Sequence, residues 1–84
     1  MTSLRFVFRT GCHLCEAMWA ELDGIRASGK VEFELVDLAR ERHLEERYGE
    51  SIPLLLHGER ELCRYFLDAE KLGAYLDSVL IKGG

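Results

Sequence analysis

No stretch of this 84-residue chain approaches the roughly 20 consecutive apolar residues that cross a bilayer. Its first residues also lack the extended apolar segment of a secretory leader, so a cytoplasmic protein without membrane contact is expected. Cysteine is scarce: three residues are too few to staple a small secreted scaffold. Charge of one sign is scarce as well. A net charge of −4, with no basic or acidic run, argues against a nucleic-acid partner. Proline occurs once, at Pro53, and no linker, internal repeat or low-complexity segment interrupts the chain. One domain over residues 1–84 is expected, with a core large enough for a few strands and helices, and we read it as a monomer.

What is present falls into short alternating and helical patterns. Leu4 to Phe8 is rich in β-formers and predicts a first strand, which Thr10-Gly11 ends; either of these can start a helix. Leu14, Met18, Leu22 and Ile25 recur at spacings of four, four and three, one face of a helix that Cys15 and Trp19 border and that Ser28-Gly29 stops. Val31, Phe33 and Leu35 alternate with Glu32 and Glu34 in a second strand ending near Asp37. A short polar helix is expected over 40–48, with Leu44 and Tyr48 as contacts and Gly49 as terminator. Pro53 to His57 and Glu61 to Tyr65 predict a hairpin around Gly58-Glu59. Asp68 is a candidate N-cap for a last helix whose face is Ala69, Leu72, Leu76 and Val79 and which Gly83-Gly84 ends. The order βαβαββα predicts an α/β domain with a four-stranded mixed sheet between helices, a three-layer α/β/α sandwich.

Chemistry concentrates at Gly11-Cys12-His13-Leu14-Cys15-Glu16, a Cys-x-x-Cys pair at the first strand-to-helix junction. Unpaired N–H groups and the helix dipole favour a thiolate at Cys12, and Cys15 lies about one turn further along, close enough to close a disulfide. In thiol–disulfide exchange a thiolate attacks a disulfide sulfur and a second thiol resolves the mixed disulfide. Cys12 is the candidate attacker. Cys15, beside Leu14 and Met18, is the more buried resolving thiol. His13 is a candidate hydrogen-bond donor or cation beside the sulfur. Arg9 can bias Cys12 or meet a substrate carboxylate, although an ordinary exposed arginine is the simpler reading. Cys63 reads as a core or half-buried strand thiol, His43 and His57 as surface residues, and Tyr48, Tyr65 and Trp19 as packing residues.

With these elements in place the chain resembles the thioredoxin fold in its minimal, glutaredoxin-sized form. More narrowly, Gly11-Cys12-His13-Leu14-Cys15-Glu16, Tyr48-Gly49, Ile52-Pro53-Leu54-Leu55 and Glu61-Leu62-Cys63 resemble the small bacterial glutaredoxin-like proteins grouped as a domain-of-unknown-function family. The resemblance implies a cis Ile52–Pro53 bond opposite the cysteines, with the backbone of Ile52 free to pair with an extended substrate. Gly11, Ser51, Ile52 and Pro53 are then the expected substrate-contacting positions. It also implies a partner that is a disulfide-containing protein or a low-molecular-weight thiol, and no cofactor. Two departures matter. Tyr65-Phe66-Leu67-Asp68 stands where glutaredoxins carry a glycine pair and an acidic residue for glutathione, so glutathione is expected to be a poor co-substrate. Phe6 and Gly11 stand where thioredoxins carry a buried aspartate and a tryptophan.

Two other readings of the motif remain. Small copper chaperones also set Cys-x-x-Cys between a first strand and helix, but in a βαββαβ order. Iron–sulfur carriage through Cys12 and an external thiol is compatible with the pair. A closed zinc site needs four ligands, and Cys63, His13, His43 and His57 form no second pair at ligand spacing. The last alternative is a non-catalytic interaction module of the same fold.

Overall fold

The structure, a computed structural model, describes residues 2–81. The first strand, β1, spans Thr2–Phe8 and leads into helix α1, His13–Arg26. Strand β2, Val31–Asp37, is followed by a single 3₁₀ turn, Arg42–Leu44, that runs into a one-turn helix α2, Glu45–Tyr48. Strands β3, Leu54–His57, and β4, Arg60–Arg64, precede helix α3, Ala69–Ile81. The sheet order is β2-β1-β3-β4. β1 and β2 run parallel, and β1–β3 and β3–β4 are antiparallel. The predicted α/β, four-stranded mixed arrangement is the one observed. Gly83-Gly84, expected to end the last helix, lie outside the described residues.

Strand alternation divides the core between the two faces of the sheet. Leu4, Phe6, Val31 and Leu55 face α1 and α3, where Cys15, Met18, Leu22, Leu72 and Leu76 cover them. Val7, Val36, Leu54 and Leu56 face the other way, with Leu38, and receive Leu44 and Tyr48 from the 3₁₀ turn and α2. Helices therefore cover both faces. The second layer is thin because the segment after β2 is mostly turn, where the sequence pattern predicts one helix over 40–48. Gly49 ends that segment with an ordinary right-handed backbone, φ −54°. Its lack of a side chain serves close approach instead: a Cβ there would sit 2.6 Å from the Glu45 carbonyl oxygen.

Four side chains differ from their sequence expectation. Leu14 is 44% exposed, and the buried face of α1 runs Cys15, Met18, Leu22. In a first turn two neighbouring residues fit the same periodicity equally well, and where the helix begins decides between them. Leu35 shares the face of Val31 and Phe33 by alternation, yet on the edge strand β2 it is 53% exposed. Tyr65 leaves β4 with a left-handed φ of 68°, and its hydroxyl donates to the Glu50 carbonyl at 2.7 Å. His57 is half-buried, its Nδ1 2.5 Å from the Tyr75 hydroxyl on α3. Asp68 does cap α3, accepting from the Lys71 N–H at 3.1 Å.

Leu55 is fully buried between β1, β4 and α3, whereas Leu35 is more than half exposed. Leu55→Ala is expected to cost about 2–5 kcal/mol through lost burial and the cavity left behind. Leu35→Ala is expected to stay within about 0.5 kcal/mol. Urea denaturation of the two variants, with unchanged slopes, checks the assignment.

Candidate active site

The site is built where β1 ends and α1 begins. Gly11 takes a φ of +91°, a left-handed conformation suited to glycine, and turns the chain from strand to helix. Cys12 follows in an extended conformation as the N-cap of α1, and its Sγ accepts the Cys15 N–H at 3.2 Å. A sulfur thus does what a serine or aspartate oxygen does at most helix starts: it satisfies one of the unpaired first-turn donors. Thr10 and Gly11, the expected helix-start residues, are displaced from that role by Cys12 itself.

Cys15 is 3% exposed and belongs to the main core cluster, with Cys12 half-buried against the same cluster. Both are free thiols. Burial first, and then the neighbouring Cys12 sulfur, push the Cys15 thiol up to about 12. The pair is therefore unequal in the sense the sequence predicts, one sulfur near the surface and its neighbour beneath. Cys63 is half-buried on β4 and is pushed up to about 11, mainly by burial and then by Glu61.

Two polar ties hold the loop that presents Cys12. The Thr10 hydroxyl donates to Asp37 Oδ2 at 2.6 Å, and the Thr10 N–H donates to Oδ1 at 3.3 Å. The Ala39 N–H donates to the same Oδ1 at 3.0 Å. The Thr10 hydroxyl, above all, holds the Asp37 carboxyl below the usual carboxylate range. The second tie is an ion pair from Arg9 to Glu45, which links the end of β1 to the start of α2. Glu45 raises the Arg9 guanidinium above its ordinary value, and the two cysteine sulfurs act on it in the same direction. Arg9 is thus engaged, not the freely exposed arginine that the sequence suggests.

The remaining expected site residues divide. The Ile52–Pro53 bond is cis, Pro53 is buried, and Ile52 packs on the same cluster as Cys12. Ser51 is half-buried and its hydroxyl faces the Arg64 guanidinium at 3.4 Å. His13 turns outward. Its side chain is 97% exposed and its Nδ1 lies 3.7 Å from Glu16 Oε2, so it leans along the helix and not onto the sulfur. Sequence reasoning missed Asp37, Thr10 and Glu45 as parts of the site. For Asp37 a signal existed: parallel pairing sets it opposite Phe8, at the carboxyl end of β2, the end of an open α/β sheet where sites form. Glu45 offered none, because it stands among four other charged residues of a solvated turn.

A family profile described as "Glutaredoxin-like domain (DUF836)" matches residues 3–77. The chain belongs to this family. Protein Ne2328 from Nitrosomonas europaea, solved by solution NMR, is 37% identical, covers 88% of this chain and 89% of its own, and superposes with a TM-score of 0.70. The X. campestris protein XcR50, solved by X-ray diffraction, is 34% identical over 89% of this chain and 96% of its own, with a TM-score of 0.69. A malarial protein, 21% identical over 93% of this chain and 96% of its own with a TM-score of 0.67, shares the fold alone. No curated protein matches. The glutaredoxin-like domain therefore has the thioredoxin-like fold expected of it, and a Cys-x-x-Cys pair stands at its first strand-to-helix junction.

Two outcomes follow from these environments. Cys12 of the reduced domain is expected to be alkylated first by iodoacetamide. Cys63, with about one thiol in a thousand ionised at pH 8, and Cys15, with fewer, should lag by well over tenfold, as peptide mapping over time would show. Asp37 has a folded pKa below its unfolded value, so its stabilisation is complete above the unfolded pKa of about 3.9 and is lost as pH falls through the folded one. Asp37→Asn should therefore destabilise the domain near neutrality, with the difference from wild type shrinking as pH falls below about 3.9, measured by denaturation at each pH.

Proposed function

We propose that this glutaredoxin-like domain is a thiol–disulfide oxidoreductase in which Cys12 is the nucleophile and Cys15 the resolving thiol. The observation that carries the reading is the position of Cys12 Sγ, a half-exposed sulfur at the start of α1 that accepts the Cys15 N–H at 3.2 Å, with the buried Cys15 thiol beneath it. A sulfur at an open helix start stands where an attacking thiol must be, within reach of an incoming disulfide.

In the forward direction the Cys12 thiolate attacks one sulfur of a substrate disulfide. A Cys12–substrate S–S bond forms, the substrate S–S bond breaks, and the departing thiolate takes a proton from solvent. Cys15 then loses its proton to solvent and attacks the Cys12 sulfur. The Cys12–Cys15 bond forms and the second substrate thiolate leaves and is protonated. The substrate disulfide is reduced by two electrons and the protein dithiol is oxidised by two. Part of what holds the Cys15 proton is the Cys12 sulfur itself. Once Cys12 is bonded in the mixed disulfide, that negative charge is gone and Cys15 becomes easier to ionise, with burial the remaining opposition.

Gly11, Ile52 and Pro53 frame the sulfur on the substrate side in this reading, and Ser51 flanks them. The partner is a protein disulfide or a low-molecular-weight thiol, acted on by a monomer in a reducing cytoplasm, without a cofactor. Glutathione is a poor partner, because Tyr65 to Asp68 offers no glycine pair at the start of α3.

Trapping tests the reading. Cys15→Ser is expected to accumulate a dithiothreitol-sensitive mixed disulfide at Cys12 when mixed with oxidised insulin or hydroxyethyl disulfide. Cys12→Ser should form none and should exchange at least about 100-fold more slowly than wild type, since its remaining thiols are protonated at pH 7. No adduct with either disulfide would leave the domain without this activity.

A further inference from the structure

Beside the cysteine pair lies a cleft of about 310 Å³ that the redox steps above do not use. Its walls are Phe6 and Phe8 from β1, Leu35 from β2 and Trp19 from α1, and Gly11 and Cys15 form the edge nearest the sulfurs. The aromatic wall is already assembled. Phe6 stacks on Phe8 at 5.5 Å and on Trp19 at 5.6 Å between ring centroids, and Trp19 meets Phe33 edge-on. Leu35 keeps 53% of its surface exposed there, so the cleft holds apolar area in water that a ligand would remove. Its rim carries Arg9, already paired with Glu45, and Glu16. The rim's one cation is thus engaged, so an acidic group finds no free partner there.

Position in the sheet separates this cleft from the cis-proline side. The order β2-β1-β3-β4 puts Leu35 on one side of β1 and Ile52-Pro53, leading into β3, on the other. Gly11, directly before Cys12, is shared ground. A chain extending from a sulfur bonded to Cys12 reaches about 3.5 Å per residue, so a flanking side chain spans from Cys12 into the cleft. A volume of this size suits one large side chain or a small molecule, not a folded segment.

We propose that the cleft is the specificity pocket of the redox site, and that it takes one uncharged aromatic or branched aliphatic side chain flanking the reactive cysteine of a protein disulfide. This rests on the oxidoreductase reading and names its substrate class. The ligand enters without covalent change, ahead of the exchange steps already described. Substrates with a bulky apolar residue beside the cysteine are selected; those with small polar or acidic neighbours are not.

Two measurements test it. The first compares kcat/KM for the symmetrical disulfides of Ac-Phe-Cys-Phe-amide and Ac-Ser-Cys-Ser-amide, each normalised to its rate with dithiothreitol. A preference of at least about tenfold for the Phe peptide is expected, the lower range for burying one large apolar side chain, and Leu35→Glu should bring the ratio close to one. Equal rates for the two peptides overturn the pocket while leaving the oxidoreductase standing. The second needs no redox activity. Trp19 is the only tryptophan of the chain and lines the cleft, so its fluorescence reports occupancy in Cys12→Ser. A saturable change with N-acetyl-phenylalaninamide, absent with N-acetyl-serinamide and lost in Leu35→Glu, supports the pocket even if neither peptide exchanges. No difference between the two amides overturns it.

Discussion

The start of α1 depends on a sulfur standing where helices usually place an oxygen. By accepting the Cys15 N–H, Cys12 ends the strand-to-helix turn, fixes the phase of the helix and orients its own sulfur in one contact. Phase is the far-reaching consequence. With the helix beginning at His13, Cys15, Met18 and Leu22 fall on the buried stripe, and the second sulfur is carried under the first. A helix starting one residue earlier or later would rotate that stripe by about 100° and part the two thiols. The placement of the two thiols and the packing of α1 on the core are therefore set by the same hydrogen bond.

Around this contact the sheet supplies rigidity at low cost in chain length. Parallel pairing of β1 and β2 brings Asp37 beside the cysteine loop, and three N–H or O–H donors from Thr10 and Ala39 converge on its carboxylate. The ion pair from Arg9 to Glu45 ties the same loop to the thin layer on the opposite face. Exposed ion pairs contribute little to stability. Their value here is positional, because the ties anchor residues two and three places before Cys12.

Membership of the glutaredoxin-like family sits beside real departures from glutaredoxins proper. The β4–α3 connection carries Tyr65 in a left-handed conformation, bonded through its hydroxyl to Glu50 and through its N–H to the Pro53 carbonyl. That segment is committed to bracing the cis-proline loop. On the opposite edge of the sheet, Leu35 of β2 is left more than half exposed beside the cysteine loop.

Local pattern was enough to determine the βαβαββα order, the strand-to-helix placement of Cys12 and Cys15, the Asp68 cap and most of the core, because each follows from neighbouring residues and a fixed period. Tertiary structure decided the rest. Whether Leu35 is covered and what Arg9 pairs with depend on segments distant in the chain. Asp37 and Glu45 join the site from far beyond the cysteines in the chain, by way of strand pairing and a turn. Periodicity assigns a residue to a face; only the neighbours that arrive there in three dimensions determine whether that face is closed, charged or open to a ligand.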